Sequence, residues 1–538
     1  MSKLSVGLLL VMIVVFEGNA QVKQSGDTSF ILVSGEGWWG GVINDGTKMP
    51  FGAMPYSFNL YGNDAGNQSV PLLISNRGRY IWSDKPFQFA FKNDSIIIRK
   101  THGPVIVGQS RSTLKDAYIS ASQQFFPPTG LWPDSLLIKS PQYNLWIELM
   151  YNPNQYDVLR YAKQVLSNGL PAGVLMIDDN WSNYYGHFDF DKEKFPDARL
   201  MVNQLHDLGF KVMVWICPFI SPDSPSYREL RSQKLLLLDS QGRKGASWNE
   251  SSKPLLISWW NGYSACLDLS NPDAGKWLKN KLDFLQTEYG VDGFKLDAGD
   301  AQYYKSPDLV SFKSFLPNEH SLFWAEIGLR YPLNEYRAMW KMGGEPLVER
   351  LRDKKHSWSD LQTLVPNTIA QQLAGYTFTC PDLIGGGEFD SFLPGMEIDQ
   401  KLIVRSAQVH ALMPMMQFSV APWRILDSTH LAAIKKIVKI RQENMPYLMQ
   451  VLRNSAKTGE PAIKPMEYAF PDQGFLNVTH QFMLGDRIMV VPVVNPSDTI
   501  KVKFPRGKWQ FEKTIITGPT SKSFRIALDE LAVFVKIR

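Results

Sequence analysis

Four apolar runs in the middle of this sequence end in carboxylates. Asp178-Asp179-Asn180-Trp181 closes the run Gly173–Ile177, and Phe294-Lys295-Leu296-Asp297-Ala298-Gly299-Asp300 closes a run beginning at Asp292. Pro346–Arg350 leads into Leu351-Arg352-Asp353-Lys354, and Tyr376–Cys380 leads into Pro381-Asp382. Side chains alternate along a strand, so Lys295 and Asp297 share one face while Phe294 and Leu296 take the other. A lysine beside an aspartate keeps the carboxylate ionised, as a nucleophile requires, and offers donors to a sugar hydroxyl. The plain structural alternative for this pair is a buried rim ion pair. For Asp353, spacing alone favours an ordinary helix-entry or surface aspartate. No HExxH, CxxC pair, calcium loop or GxSxG turn accompanies these aspartates; Asp189-Phe190-Asp191 lacks the following ligands and glycine. The reading therefore includes no metal and no cofactor. Paired carboxylates acting without a metal point to hydrolysis of a glycosidic bond.

Such aspartates need a scaffold that gathers strand ends at one rim. The middle of the chain alternates apolar runs with amphipathic, helix-length stretches. The runs expected as strands are Leu145–Leu149, Gly173–Ile177, Lys211–Cys217, Asp292–Asp297, Leu322–Glu326, Pro346–Arg350, Tyr376–Cys380 and Met413–Phe418. Pro153–Ser167, Pro272–Glu288, Trp358–Leu373 and Asp399–Ala411 read as helices between them, and Thr429 to about Arg453 as a closing helix. Near-continuous apolar strands followed by helices imply a parallel sheet covered on its outer face, and eight such units imply an α/β fold, the (β/α)8 TIM barrel. Its active site lies at the C-terminal strand ends, where the four aspartate clusters fall. On either side the text is strand-like. Residues 21–135 read as an N-terminal β-sandwich (with Ala117–Phe126 among its β-rich runs), 136–458 as the barrel and 459–538 as a C-terminal β-sandwich.

Composition narrows the partners. Lys and Arg number 57 against 52 Asp and Glu, and a net charge of +5 spread over 538 residues without a basic run makes nucleic acid a poor partner. The 16 tryptophans suit core packing and sugar-stacking platforms alike. Lys3, the apolar stretch Leu4–Phe16 and Gly18-Asn19-Ala20 before Gln21 read as an export signal over residues 1–20, so a secreted or periplasmic protein is expected. No later run is long enough to span a bilayer, and three scattered cysteines do not make a disulfide scaffold. Gly35-Glu36-Gly37-Trp38-Trp39-Gly40 fits GxGxxG, but the following Gly41–Gly46 cannot open a helix, which removes the dinucleotide reading.

Several segments carry a resemblance. Val70–Ser75, Phe188–Asp197, Leu205–Val212 and Phe482–Val493 are similar, in order and spacing, to glycoside hydrolase family 31 over nearly the whole chain after residue 20. The resemblance implies a barrel flanked by two sandwiches and a retaining α-glycosidase acting on an oligosaccharide or glycoside. By position it implies Asp297 as nucleophile, Asp353 as general acid/base and Arg337 as a sugar-binding arginine. Asp178 or Asp179 would hold sugar hydroxyls (one of the two, unless the strand bends), Trp260 would be a site tryptophan, and Asp382 would stand behind the site. Lys295 joins the hydroxyl-binding group. Lys295–Asp300, and Met416-Gln417-Phe418-Ser419 where the family's glucosidases carry an Arg and a His, resemble a branch that acts on α-galactosides. The expectation is thus an exo-acting α-galactosidase, with an α-glucosidase or α-xylosidase of the same mechanism, or a glycan-binding protein without turnover, as alternatives.

Overall fold

The computed structural model describes residues 21–23, 27–243 and 253–537. The expected export signal lies outside them. Eight parallel strands form the barrel wall: β1 (Gln142–Asn144), β2 (Val174–Ile177), β3 (Lys211–Ile216), β4 (Gly293–Leu296), β5 (Asn334–Tyr336), β6 (Val348–Arg350), β7 (Phe378–Cys380) and β8 (Gln417–Phe418). Hydrogen-bonded ladders run from β7 round to β1 and on to β8. Across the remaining seam Ile384 N donates to Gln417 O at 2.8 Å. Val174–Ile177 is buried throughout, as expected of a strand covered on both faces. The outer helices start where the sequence offers caps. Asn154, Asp197 and Asn271 each accept a backbone N–H from the first turn of Gln155–Ser167, Ala198–Asp207 and Pro272–Phe284.

Three expected strands are corrected. Leu145–Leu149 is not a strand: β1 precedes it, Asn144 Oδ1 accepts the Trp146 N–H at 2.9 Å, and Trp146–Leu149 is a helical turn. Leu322–Glu326 lies inside the helix Pro317–Gly328, started by proline in its first turn and by Glu319 reaching back to the Leu316 N–H at 2.7 Å. The fifth strand is instead the polar-looking Asn334–Tyr336, whose Glu335 is buried. Ala117–Phe126 belongs to the helix Leu114–Phe125, capped by Thr113. A local apolar run does not distinguish a buried strand from a buried helix, so these were the ambiguous places. The closing helix is longer than read, spanning Ser428–Thr458.

Antiparallel sheets flank the barrel at both ends of the chain. The N-terminal region packs a six-stranded sheet against a four-stranded one, with Trp38, Phe51, Phe89 and Phe91 in ring contact. One strand of the larger sheet, Met339–Trp340, follows β5 in the chain and pairs in parallel with Gln68–Ser69. The barrel is thereby stitched into the sandwich beside its own rim. The C-terminal region is a six-stranded antiparallel sheet with a long hairpin, Thr499–Phe511 with Thr514–Arg525, whose Phe504 and Phe524 meet Phe534 of the strand Val533–Ile537. No helix among the described residues is long and apolar enough to cross a membrane.

Candidate active site

Asp297 follows the last residue of β4, and its N–H continues the ladder to Ile216 O at 2.9 Å. The chain then turns sharply through left-handed Ala298 (φ 54°) and Gly299 (φ 77°). A Cβ on Gly299 would lie 2.5 Å from Trp324 Cδ1, so only glycine fits that turn. The Asp297 carboxylate receives the Trp215 indole N–H at 2.9 Å on Oδ2 and Arg337 Nε at 3.0 Å on Oδ1. Lys295 Nζ stands 3.8 Å from Oδ2 and is bonded at 2.7 Å to Asp178 Oδ2. Burial alone would raise the Asp297 pKa. Lys295, Arg337, Arg350 and the indole donor more than reverse this and hold the carboxyl far below the usual range. Lys295 answers in the opposite sense: burial disfavours its charge, but Asp178 and Asp297 keep it protonated above the ordinary lysine value.

Asp353 faces the same cavity, its side chain 38% exposed, and Oδ1 accepts Arg350 Nη1 at 2.6 Å. The surrounding walls and the Asp297 charge push its carboxyl up. Arg350 and Lys295 outweigh them, so the net direction is down. Asp178 and Asp179 lie beyond the end of β2, where strict alternation no longer applies, and Asn180 at φ 66° turns the chain. Both carboxylates therefore line the cavity, rather than one of the two. Asp179 accepts Asn261 Nδ2 at 2.8 Å and the Tyr185 hydroxyl at 3.3 Å. Burial and the adjacent Asp178 push it up to about 7.

Trp260, 46% exposed, sits at the tip of the hairpin Ile257–Trp259/Gly262–Cys266, with the Arg337 guanidinium 4.8 Å from its ring centre. Asp178, Asp179, Trp260, Lys295, Asp297, Arg337 and Asp353 all line one rim cavity of about 420 Å3. Asp382 does not. It lies behind Asp353, buried, accepting Arg350 Nη1 at 2.9 Å and the Lys354 N–H at 2.8 Å; burial and the Asp353 charge raise its pKa. Gln417 and Ser419 do not reach the cavity either. Gln417 Nε2 bridges Gln142 and Glu335 at 2.5 Å each inside the barrel, and Ser419 Oγ accepts the Ile147 N–H at 2.9 Å. These two residues therefore cannot act on a bound sugar by direct contact.

The structure adds residues that the sequence reading did not assign. Trp215 is the penultimate residue of β3 and could have been found by the same rim logic. Arg350, a cation inside an apolar run, joins Asp353, Asp382 and, at 3.2 Å, Glu335. Glu335 went unseen because its strand was misplaced. Trp146, Tyr151 and Phe389 give the cavity mouth an aromatic wall, and no periodicity announced them. Asn67, in the sequon Asn67-Gln68-Ser69, is buried: its Nδ2 donates to Arg337 O at 2.8 Å, and Gln68 Nε2 donates to Arg350 O at 2.8 Å. The sandwich thus grips the backbones of the two arginines that hold Asp297 and Asp353.

Comparison with known proteins agrees with this architecture. Residues 141–346 match the sequence profile of the "Glycosyl hydrolases family 31 TIM-barrel domain", and residues 459–537 that of the "Glycosyl hydrolase family 31 C-terminal domain". Mouse myogenesis-regulating glycosidase is 30% identical over 430 residues, covering 77% of this chain and 58% of that protein. The α-xylosidase XylQ of Lactiplantibacillus pentosus is 24% identical over 89% of this chain and 63% of that one. The chain thus spans less than two thirds of the length of either relative. A Flavobacterium johnsoniae dextranase solved with glucose superposes with a TM-score of 0.83 at 18% identity, over 95% of this chain and 66% of that one.

Proposed function

Because this chain belongs to glycoside hydrolase family 31, we propose that it is a retaining α-glycosidase that releases terminal α-linked galactose by double displacement between Asp297 and Asp353. The observation that carries the reading is one cavity holding both carboxylates, one of them forced into its ionised form by two flanking cations and an indole donor. An Asp297 oxygen attacks the anomeric carbon as the bond to the leaving oxygen breaks, and Asp353 gives that oxygen its proton. In the second step Asp353 takes a proton from water, the water oxygen bonds to the anomeric carbon, and Asp297 is released with the α configuration restored. The charge coupling assists this change of role. Ionised Asp297 raises the Asp353 pKa in the free enzyme, and esterification removes that charge, lowering Asp353 toward a base. Arg350 and Lys295 oppose the acid role by holding Asp353 below its ordinary value.

For the sugar, we assign the buried Lys295–Asp178 pair and the raised Asp179 carboxyl to the axial 4-hydroxyl of galactose. A buried donor or acceptor left unmet by the epimer costs about 1–3 kcal/mol, so a preference well over tenfold is expected. The names of related proteins (α-xylosidase, α-glucosidase, dextranase) favour glucose or xylose as the second reading. Comparing kcat/KM on matched nitrophenyl α-galactoside, α-glucoside and α-xyloside separates them. Binding without release of any sugar would instead support a glycan receptor. We also propose export through residues 1–20; a mature N-terminus at Gln21, found by mass spectrometry of the expressed protein, would support it.

A further inference from the structure

Behind the nucleophile lies a second acidic cluster that the mechanism above does not use. Asp300 is fully buried three residues beyond Asp297, its Oδ2 paired with Arg337 Nη2 and its Oδ1 without a hydrogen-bond partner. The same guanidinium donates through Nε to Asp297 and through Nη1 to Gly66 O at 3.0 Å, so it is a fixed fork between the two aspartates and the sandwich. Asp64, also buried, comes from the sandwich loop. Its Oδ2 accepts the Ala301 N–H at 2.8 Å and its Oδ1 the Gly66 N–H at 2.9 Å, which brings a second carboxylate against the Asp300 turn.

We propose that Asp300 is a positioning residue for the nucleophile: through Arg337 it orients Asp297, and its own ionisation, governed by Asp64, sets how strongly Arg337 withdraws charge from that carboxylate. The proposal rests on Asp297 being the nucleophile. When Asp300 is ionised, Arg337 is shared between two anions and Asp297 keeps more of its electron density. When Asp300 is protonated, the guanidinium serves Asp297 alone, and a carboxylate so stabilised is a poorer nucleophile. The charged and titratable groups facing Asp300 are Asp64, Asp297, Arg337, Tyr303 and Tyr304. Burial, then Asp64 and Asp297, push the Asp300 carboxyl up to about 7 against the pull of Arg337, which places the change within the working range of an enzyme.

The test follows covalent labelling by 5-fluoro-α-galactosyl fluoride, with its gluco epimer in parallel, across pH in the wild type, Asp300→Asn and Asp64→Asn. Fluoride departs with little proton assistance, so the labelling rate reports the nucleophile more than the acid. In the wild type the rate should rise through neutral pH. In Asp64→Asn the rise should move to lower pH, because a neighbouring negative charge is gone. In Asp300→Asn it should vanish and leave a rate slower by about tenfold or more above neutrality. Asp64 is outside the Arg337 ion pair, so its variant keeps the test open if Asp300→Asn does not fold. Label found by peptide mass on a residue other than Asp297 overturns the underlying assignment. Label on Asp297 with one common pH dependence in all the proteins overturns the role of Asp300.

Discussion

Lys295→Met removes a cation that lines the cavity while keeping most of the side-chain volume. Its Nζ stands 3.8 Å from Asp297 Oδ2. With an effective dielectric of about 20, that separation corresponds to roughly 4 kcal/mol, or about three pKa units at Asp297. Arg337 and Trp215 remain, so Asp297 should climb back into the ordinary carboxylate range without becoming neutral at pH 7. The sign is unambiguous. The folded enzyme holds Asp297 low and therefore ionised far into acid; losing a cation raises its pKa, and the acid limb of kcat/KM moves upward. The limb should appear between about pH 4 and 6, where the wild type remains flat with respect to Asp297. Asp178 loses its partner at the same time, and breaking a buried pair costs about 3–5 kcal/mol of stability. Lys295→Met/Asp178→Asn avoids the orphaned charge and should show the same acid limb with better folding. The assay is kcat/KM on nitrophenyl α-galactoside against pH, with circular dichroism at each pH to count only folded enzyme. An acid limb unchanged in both variants would refute the electrostatic account of Asp297.

Asp297→Ala should lose on the order of 10³-fold or more in kcat while keeping its fold, since the double displacement loses its nucleophile; near wild-type turnover in folded protein rules the assignment out. Asp353→Ala should spare nitrophenyl substrates relative to sugar leaving groups, and added azide should accelerate it and yield the α-azide; equal losses with no azide effect would remove Asp353 from the acid/base role. Glu349, on β6, is buried with neither carboxyl oxygen hydrogen-bonded, and burial raises its pKa well above the ordinary value. A carboxyl raised on folding is best tolerated below the unfolded-state pKa of about 4.3 and costs stability as pH climbs from there toward its folded value. Glu349→Gln should therefore gain stability over the wild type increasingly toward alkaline pH, read by urea denaturation; a gain that does not change with pH would contradict this.

Asp297, and the Asp178/Asp179 pair at the end of another apolar run, were legible because strand alternation and the rim position of a barrel's chemistry are properties of short segments, whereas spacing alone left Asp353 an ordinary aspartate and only the family resemblance gave it a role. Lys295 followed from the same two-residue period. The misplaced first and fifth strands mark where that period is silent: β5 is three residues long, and its Glu335 is polar because it points at Arg350 and Gln417 rather than at solvent. That Asp178 and Asp179 both line the cavity was decided where regular alternation stops, since the strand ends at Ile177. Sequence by itself determined the barrel, the flanking sheets and the acidic rim. Tertiary structure alone decided that Arg337 joins Asp297 to Asp300, that Arg350 joins Asp353 to Asp382, and that Asn67 and Gln68 of the sandwich hold both arginine backbones. Those partners are separated by up to hundreds of residues, and no local period encodes them. Their meeting depends on how the sandwich docks against the barrel, and Asp297, Asp300 and Asp382 accept burial there because each meets an arginine.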